Sequence, residues 1–226
     1  MPRFPLPKSS TTSIFPEYSP IKVKYKDIFH IKEYYMGLHE WLLENGWKDV
    51  EGDGEHWESY YGERLSQGGE KEIWIWWRMV KTPTDTPSGS FKTSKGTNEK
   101  WAALTYYLDL DFHFLNILPT EVVRDGKKLP AHKGEVEMII RAYMNEGYKD
   151  AFDKSSLLKE IKGLFAHRWY SNTATIRQKQ LYQEVYALQN FIKQWFKLKR
   201  YMPYEEARSF WSSRAFPSHV KDEQQQ

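Results

Sequence analysis

Residues 104–115, LTYYLDLDFHFL, show the most regular pattern in the chain. Apolar or aromatic side chains recur at every second position from Leu104 to Phe114. The positions between them hold Thr105, Tyr107, Asp109, Asp111 and His113. Successive side chains of a β-strand point to opposite faces, so this alternation predicts a strand with one buried face and one polar face.

Similar patterns predict further strands on both sides of this one. Apolar residues alternate with lysines over 21–26, and they occupy every second position over 136–142. Residues 73–80 are apolar almost throughout, which is typical of a central strand covered on both sides. Another strand is expected over 57–65, joined to it by the hairpin signal at 68–69, Gly-Gly. Short connections make neighbouring strands antiparallel, so we expect a mostly antiparallel sheet of four to five strands.

Apolar side chains at three- and four-residue spacing predict the helices. One helix is expected over 30–45, followed by Gly46, a residue that helix C-termini favour. Two more helices are expected near the end of the chain, over 155–170 and from about 173 to 200. The patterns together predict an α+β fold with one helix on a face of the sheet and a C-terminal helical pair.

The composition divides the chain into four parts. Residues 1–20 contain five prolines, and we expect a disordered arm there. Residues 21–154 are predicted to form the sheet domain. Residues 155–202 are predicted to be a basic helical pair packed on or extending from the sheet, and 203–226 a disordered tail. Within the sheet domain, residues 82–100 are rich in Thr, Ser, Gly and Pro and predict a long loop, either mobile or functional.

Several classes of function are disfavoured by what the sequence lacks. The 226 residues include no cysteine, which excludes disulfides, thiol nucleophiles and Cys-type zinc sites. Glycine-rich phosphate loops, the Gly-x-Ser-x-Gly elbow and the His-Glu-x-x-His helix do not occur, so no cofactor is expected and an enzyme is disfavoured. Neither a secretory signal nor an apolar stretch of ~18 residues is found, so a cytoplasmic protein without a transmembrane segment is expected.

Positive charge is concentrated in one segment. The whole chain carries a net charge of +3, yet residues 155–200 hold nine Lys and Arg against two acidic residues. Clustered positive charge attracts phosphate, so this segment predicts contact with nucleic acid or a ribonucleoprotein. A membrane surface, a protein partner or a merely solvated helix face are the alternatives. The nine residues are Lys159, Lys162, Arg168, Arg177, Lys179, Lys193, Lys197, Lys199 and Arg200.

Asp109-x-Asp111-x-His113 is the candidate metal site. Alternate side chains of a strand share a face, so the two carboxylates and the imidazole are expected to lie in a row that can hold a divalent ion. The alternative is an ordinary solvated face on which the aspartates pair with Arg78 or Arg141 across strands.

Aromatic residues are unusually frequent, with 10 Trp, 15 Tyr and 12 Phe. Trp74, Trp76 and Tyr107 share the polar face with basic residues and predict a surface on which bases or sugars stack. The alternative is a second apolar layer that the C-terminal helices cover, because uncovered tryptophan pairs would form a large apolar patch.

Three segments resemble a set of uncharacterised proteins from small-genome archaea. They are EKEIWIWWR at 70–78, HEWLLENGW at 39–47 and LDLDFH at 108–113, and the similarity would extend over roughly residues 20–200. The resemblance implies a prokaryotic, cytoplasmic setting and carries no activity.

Three hypotheses about function follow from these observations. The leading one is a non-enzymatic binding protein whose basic helical arm contacts an anionic partner. The second is a structural subunit that buries its aromatic residues against copies of itself or against another protein. The third is a metal-dependent enzyme built on Asp109, Asp111 and His113.

Overall fold

The computed structural model describes residues 11–50, 57–84, 86, 88–92, 98–124, 126–147 and 171–198. The chain divides into two compact units, residues 1–187 and 188–226, and the boundary falls inside the C-terminal helix. The predicted boundary at 154, the predicted helix over 155–170 and the predicted tail over 203–226 lie outside the described residues, as does the first half of the predicted N-terminal arm, residues 1–10.

The described secondary structure follows an α+β order. Helix α1 spans Ile31–Glu44 and helix α2 spans Ser171–Trp195. The strands are β1 Thr11–Ser13, β2 Ile21–Phe29, β3 Lys48–Asp49, β4 Glu58–Leu65, β5 Lys71–Lys81, β6 Ser88–Lys92, β7 Asn98–Ala102, β8 Thr105–Arg124 and β9 Lys127–Asn145.

Seven of these strands form one sheet, in which every pairing is antiparallel. Its centre is the order β9-β8-β5; β1 and β2 both pair with β9, and β3 and β4 both pair with β5. The predicted α+β class and mostly antiparallel sheet are confirmed. The strand number is higher than predicted because β1 and β3, at three and two residues, are too short to show alternation.

One face of the sheet forms the core, which we call the core face. The alternate residues Leu108, Leu110, Phe112 and Phe114 of β8 are buried on it, as the sequence pattern predicts. Their neighbours on β9 and β5 are buried as well. The opposite side, which carries Asp109, Asp111 and His113, is called the polar face.

Helix α1 packs on the core face. His30 caps its N-terminus, because its Nδ1 accepts the backbone N–H of Glu33 at 3.1 Å. The stripe of Tyr34, Leu38 and Leu42 is buried, and the Tyr34 hydroxyl contacts the sulfur of Met138 on β9. Gly46 follows the helix with φ of 78°, a conformation that glycine adopts without a steric penalty.

Residues 82–100 are not a featureless loop. Strands β6 and β7 pair with each other and form a separate two-stranded sheet, with Ser88 opposite Ala102 and Lys92 opposite Asn98. The prediction of a long loop was therefore wrong over these strands. Periodicity gave no signal because their residues are mostly small or polar.

Strands β8 and β9 are longer than predicted. The main pairing of β8 with β5 ends at Ile117, and that of β9 with β2 ends at His132. Beyond these points, residues 118–124 of β8 pair only with residues 127–133 of β9 within the described chain. We call this extension the hairpin arm. A bulge precedes it, at Asn116, whose φ is 52°.

The N-terminal half of helix α2 is anchored within the first unit. The Tyr106 hydroxyl donates to the backbone carbonyl of Arg177 at 2.9 Å, and Lys81 Nζ bonds both carboxylate oxygens of Glu184 at 2.9 Å. Tyr182 stacks on Phe15 with 5.4 Å between ring centroids. In the second unit, Ile192 is buried. Neither described helix is both long and apolar enough to cross a membrane.

Candidate functional site

The aspartates of the predicted metal site form ion pairs. Arg78 donates from Nε to Asp109 Oδ1 at 2.6 Å and from Nη2 to Asp109 Oδ2 at 2.7 Å. Both side chains are at most 10% exposed. A bidentate guanidinium–carboxylate pair in such a setting is strong and directional, and it occupies both carboxylate oxygens. Arg141 on β9 donates from Nη1 to Asp111 Oδ2 at 2.5 Å, through a single nitrogen.

His113 also has an acidic partner. Its Nε2 lies 2.8 Å from Glu72 Oε1, and Arg64 contacts the other oxygen of Glu72 at 2.5 Å. The hydrogen bond from His113, with the nearby charge of Arg64, lowers the pKa of Glu72. In the part of the chain that the structure describes, no group of three or more histidines and carboxylates is placed to hold a metal ion. The structure thus gives Asp109 and Asp111 the cross-strand arginine partners of the alternative interpretation. The partner of His113, Glu72, was not predicted.

Aromatic rings form two stacks side by side on the polar face. Tyr60 of β4 stacks on Trp76 of β5, with centroids 4.1 Å apart and 27° between the ring planes. Trp74 stacks on His113, at 5.2 Å and 16°. The guanidinium carbon of Arg64 lies 6.0 Å from the centre of Trp74. We call these five side chains the ring platform.

Strand register explains why the rings meet. Tyr60 is paired with Trp76, and Gly62 with Trp74. Tyr60 and Gly62 are two positions apart in β4 and therefore lie on the same face of the sheet. Gly62 leaves room for the Tyr60 ring to lie flat, because a Cβ at this position would be 2.6 Å from the tyrosine oxygen. Tyr60 is the outer ring of its stack and remains 42% exposed.

The platform differs from the stacking surface that the sequence predicts. Trp74 and Trp76 share it and are half-buried. Tyr107 lies opposite Val80. Val80 is four residues along β5 from Trp76, a distance of about 13 Å at the rise per residue of a strand. Sequence reasoning missed Tyr60. The alternation Tyr60-x-Gly62-x-Arg64, in a strand expected to pair with the tryptophan strand, was the available signal.

The basic residues of the C-terminal segment are described in part. Arg177 and Lys179 belong to the first unit, and Lys193 and Lys197 to the second. The Arg177 guanidinium donates to Gln180 Oε1 at 3.0 Å and to the carbonyl of Thr84 at 3.1 Å, so it is turned toward its own unit. The other five predicted residues lie outside the described ranges: Lys159, Lys162, Arg168, Lys199 and Arg200.

The three described lysines of this segment differ from Arg177. Lys179 and Lys197 are exposed and Lys193 is half-buried. Among the described residues none of the three forms an ion pair. Glu184, the one acidic residue of the described segment 171–198, is bound by Lys81. Their charge is therefore not balanced within that segment.

A recess lies on the core face beside the first turn of α1, where the helix begins and the sheet continues. Its volume is about 520 Å³, and Ile73, Ile75 and Ile117 contribute to its floor. His132 also lines it; burial, with the positive charges of His30 and Lys71, lowers the pKa of this histidine. The recess is mostly apolar, and its floor residues are almost inaccessible to solvent.

No protein-family model matches the chain, and no curated protein and no solved structure has significant similarity to it. The resemblance to uncharacterised archaeal proteins stays a prediction.

Proposed function

We propose that the protein is a non-enzymatic binding protein whose C-terminal helical segment contacts a nucleic acid, either free or within a ribonucleoprotein. The observation behind the proposal is the separation of charge along the chain. Residues 155–200 hold nine basic and two acidic residues, and one of those acids, Glu184, is taken up by Lys81. Lys179, Lys193 and Lys197 have no acidic partner among the described residues.

Phosphate binding needs little more than such unbalanced cations. Each lysine that neutralises a phosphate releases condensed counterions, so affinity falls as salt rises. The logarithm of the association constant falls by about 0.7 per contact for each tenfold increase in salt on a single strand, and by about 0.9 on duplex DNA. This slope counts the contacts without requiring that the partner's sequence be known.

The test measures affinity for a long RNA oligonucleotide at several salt concentrations. Wild type is compared with the double variant Lys179→Gln/Lys193→Gln. The proposal predicts steep salt dependence for wild type and a slope smaller by about 1.4 in the variant, since two contacts are lost. The matched control is Lys22→Gln/Lys26→Gln, which removes the same charge from two exposed lysines of β2 and is expected to leave the slope nearly unchanged.

Two outcomes would overturn the proposal. One is affinity that does not change between low and moderate salt, which would remove electrostatics as the cause. The other is binding to anionic lipid vesicles, or to an acidic protein, with none to RNA or DNA at low salt.

A second candidate function, that of an assembly subunit, is favoured by the hairpin arm. Leu118, Val122 and Leu129 lie on one face of the arm and are 36%, 38% and 46% exposed. A two-stranded hairpin without a packed face is marginally stable in water. Apolar residues on an arm of this kind therefore suit contact with another protein surface, such as a second copy of the chain.

The edges of the hairpin arm favour contact with a partner through the apolar face rather than by strand addition. Two residues separate Arg124 from Lys127, so the two residues of this closing pair are hydrogen-bonded to each other. In an antiparallel ladder hydrogen-bonded and non-hydrogen-bonded pairs alternate, so every second pair from this one is also hydrogen-bonded. Pro119 and Pro130 fall in the pairs between, where a backbone N–H would point away from the hairpin. The proline removes one outward donor from each edge, which disfavours addition of another strand.

Sedimentation equilibrium over a wide concentration range tests this second candidate. Self-association that Leu129→Lys abolishes, and that Leu65→Lys at another exposed leucine leaves intact, is the expected result. A wild-type protein that stays monomeric at high concentration would contradict self-association.

A further inference from the structure

We infer that the nucleic acid is bound as a single strand, with at least one unpaired base stacked on the outer face of Tyr60 in the ring platform. This inference rests on the proposed function and adds to it the kind of nucleic acid and a second point of contact. It concerns the β4 edge of the sheet rather than helix α2.

The first argument is the position of Tyr60. Its inner ring face is held against Trp76 at 4.1 Å, and 42% of the residue remains exposed. Trp77, which follows Trp76 on β5, points to the core face and is only 1% exposed. The ring pair is fixed in orientation and open on one side. Such a surface is preorganised for a planar ligand, because little side-chain freedom is lost when the ligand binds.

The second argument is the surroundings of the stack. Trp74 and His113 form a parallel stack beside it, and Arg64 lies over Trp74. The Arg64 side chain is 73% exposed although it contacts Glu72. Aromatic rings next to an exposed guanidinium match the chemistry of a nucleotide, whose base stacks on the ring while its phosphate meets the cation.

The third argument concerns strandedness. Bases in a duplex present only their edges in the grooves, whereas the ring faces become available when the bases are unpaired. A ring that lies flat on a sheet offers its face and no hydrogen-bond pattern for groove reading. Stacking is also tolerant of sequence, since every base has a π-face.

A purely structural role is the competing explanation. The Tyr60 ring covers Gly62 of the same strand, and an aromatic ring over a strand glycine stabilises the strand on its own account. The two explanations differ in what they predict for ligands with and without bases, and the test uses this difference.

The experiment compares two strands of equal length and equal charge: single-stranded DNA and an abasic strand with the same sugar–phosphate backbone. Wild type is expected to bind the base-bearing strand roughly 5- to 140-fold more tightly for each stacked base. Tyr60→Ala is expected to lose this preference while its affinity for the abasic strand and the salt slope stay unchanged.

Two further variants guard against loss of folding. Tyr60→Phe keeps the ring and is expected to retain the preference. Tyr61→Ala removes the neighbouring exposed tyrosine, which points to the other face of β4, and is expected to behave as wild type.

The outcomes separate this inference from the proposed function. Equal affinity of wild type for both strands, with steep salt dependence, overturns stacking and leaves the charge-based proposal standing. A preference for the base-bearing strand with no salt dependence supports stacking and overturns the charge-based proposal. Loss of abasic binding in Tyr60→Ala, or a preference that survives in it, overturns the assignment of stacking to Tyr60.

Discussion

The polar face of the sheet and the C-terminal segment both carry many charges, but they use them differently. On the polar face, Arg78 is paired with Asp109, Arg141 with Asp111, and Glu72 with His113 and Arg64. In the described C-terminal segment, the three lysines have no such partners and the one acid is already bound. Paired charges position the strands and stabilise the fold. Charges without a partner among the described residues remain available to an external one.

The largest expected loss of unfolding free energy comes from breaking the buried pair Arg78–Asp109. Asp109→Ala leaves the Arg78 guanidinium buried without its bidentate partner, and losing one member of a buried pair costs about 3–5 kcal/mol of unfolding free energy. Urea unfolding measures it. The control is Glu121→Gln in the exposed pair with Lys128, for which the loss is about 1 kcal/mol or less. Similar losses in both variants would mean that burial does not separate the two pairs.

A smaller effect is expected for the neighbouring pair. Asp111 and Arg141 are 15% and 31% exposed at their side chains, so water screens them more than Asp109 and Arg78. Asp111→Ala is expected to cost about 1.5–3 kcal/mol, the range for a hydrogen bond to a charged group. The measurement is the same urea titration. A cost above that of Asp109→Ala would show that Asp111 has a role beyond this pair.

The pH dependence at His132 gives a still smaller signal. Burial lowers the pKa of His132 in the folded protein below its usual value near 6.5. Above that pH the histidine is neutral in both states and contributes nothing. Below it the unfolded state takes up the proton first, so the unfolding free energy falls.

Unfolding of wild type and of His132→Gln is therefore compared between about pH 7 and pH 5. The stability of wild type is expected to decline more steeply than that of the variant as pH falls, because the other six histidines are common to both proteins. A difference between the two proteins that does not change with pH would contradict the depressed pKa.

The smallest effect is predicted for lysines that have no partner among the residues described by the structure. Lys179→Gln/Lys193→Gln removes charges that form no ion pair among the described residues, so unfolding free energy is expected to change by less than about 0.5 kcal/mol. Circular dichroism and urea unfolding check this. A loss above about 1 kcal/mol would show that these lysines serve the fold, and the comparison with the polar face would then fail.

Much of the fold was predictable because alternation is local. The pattern from Leu104 to Phe114 assigned the core face correctly, and the spacing in α1 assigned its buried stripe. Strands of two or three residues contain too few positions to alternate, so β1 and β3 were missed. The hairpin arm was missed as well, because the bulge at Asn116 interrupts the alternation and prolines follow it.

The candidate site was less predictable because it depends on register between distant strands. Arg78 and Asp109 are 31 residues apart in sequence, and either Arg78 or Arg141 was a reasonable partner until the strands were aligned. The stack of Tyr60 on Trp76 needs the register of β4 on β5 and the small residue Gly62. Residue types alone do not fix either one.

The central claim is that the C-terminal lysines meet the partner while the exposed lysines of β2 do not. Lysine acylation, read residue by residue by mass spectrometry with and without a single-stranded oligonucleotide, tests it most directly. The account predicts that the oligonucleotide protects Lys179 and Lys193 and leaves Lys22 and Lys26 fully reactive. Protection of the β2 lysines with unchanged reactivity at Lys179 and Lys193 would contradict it.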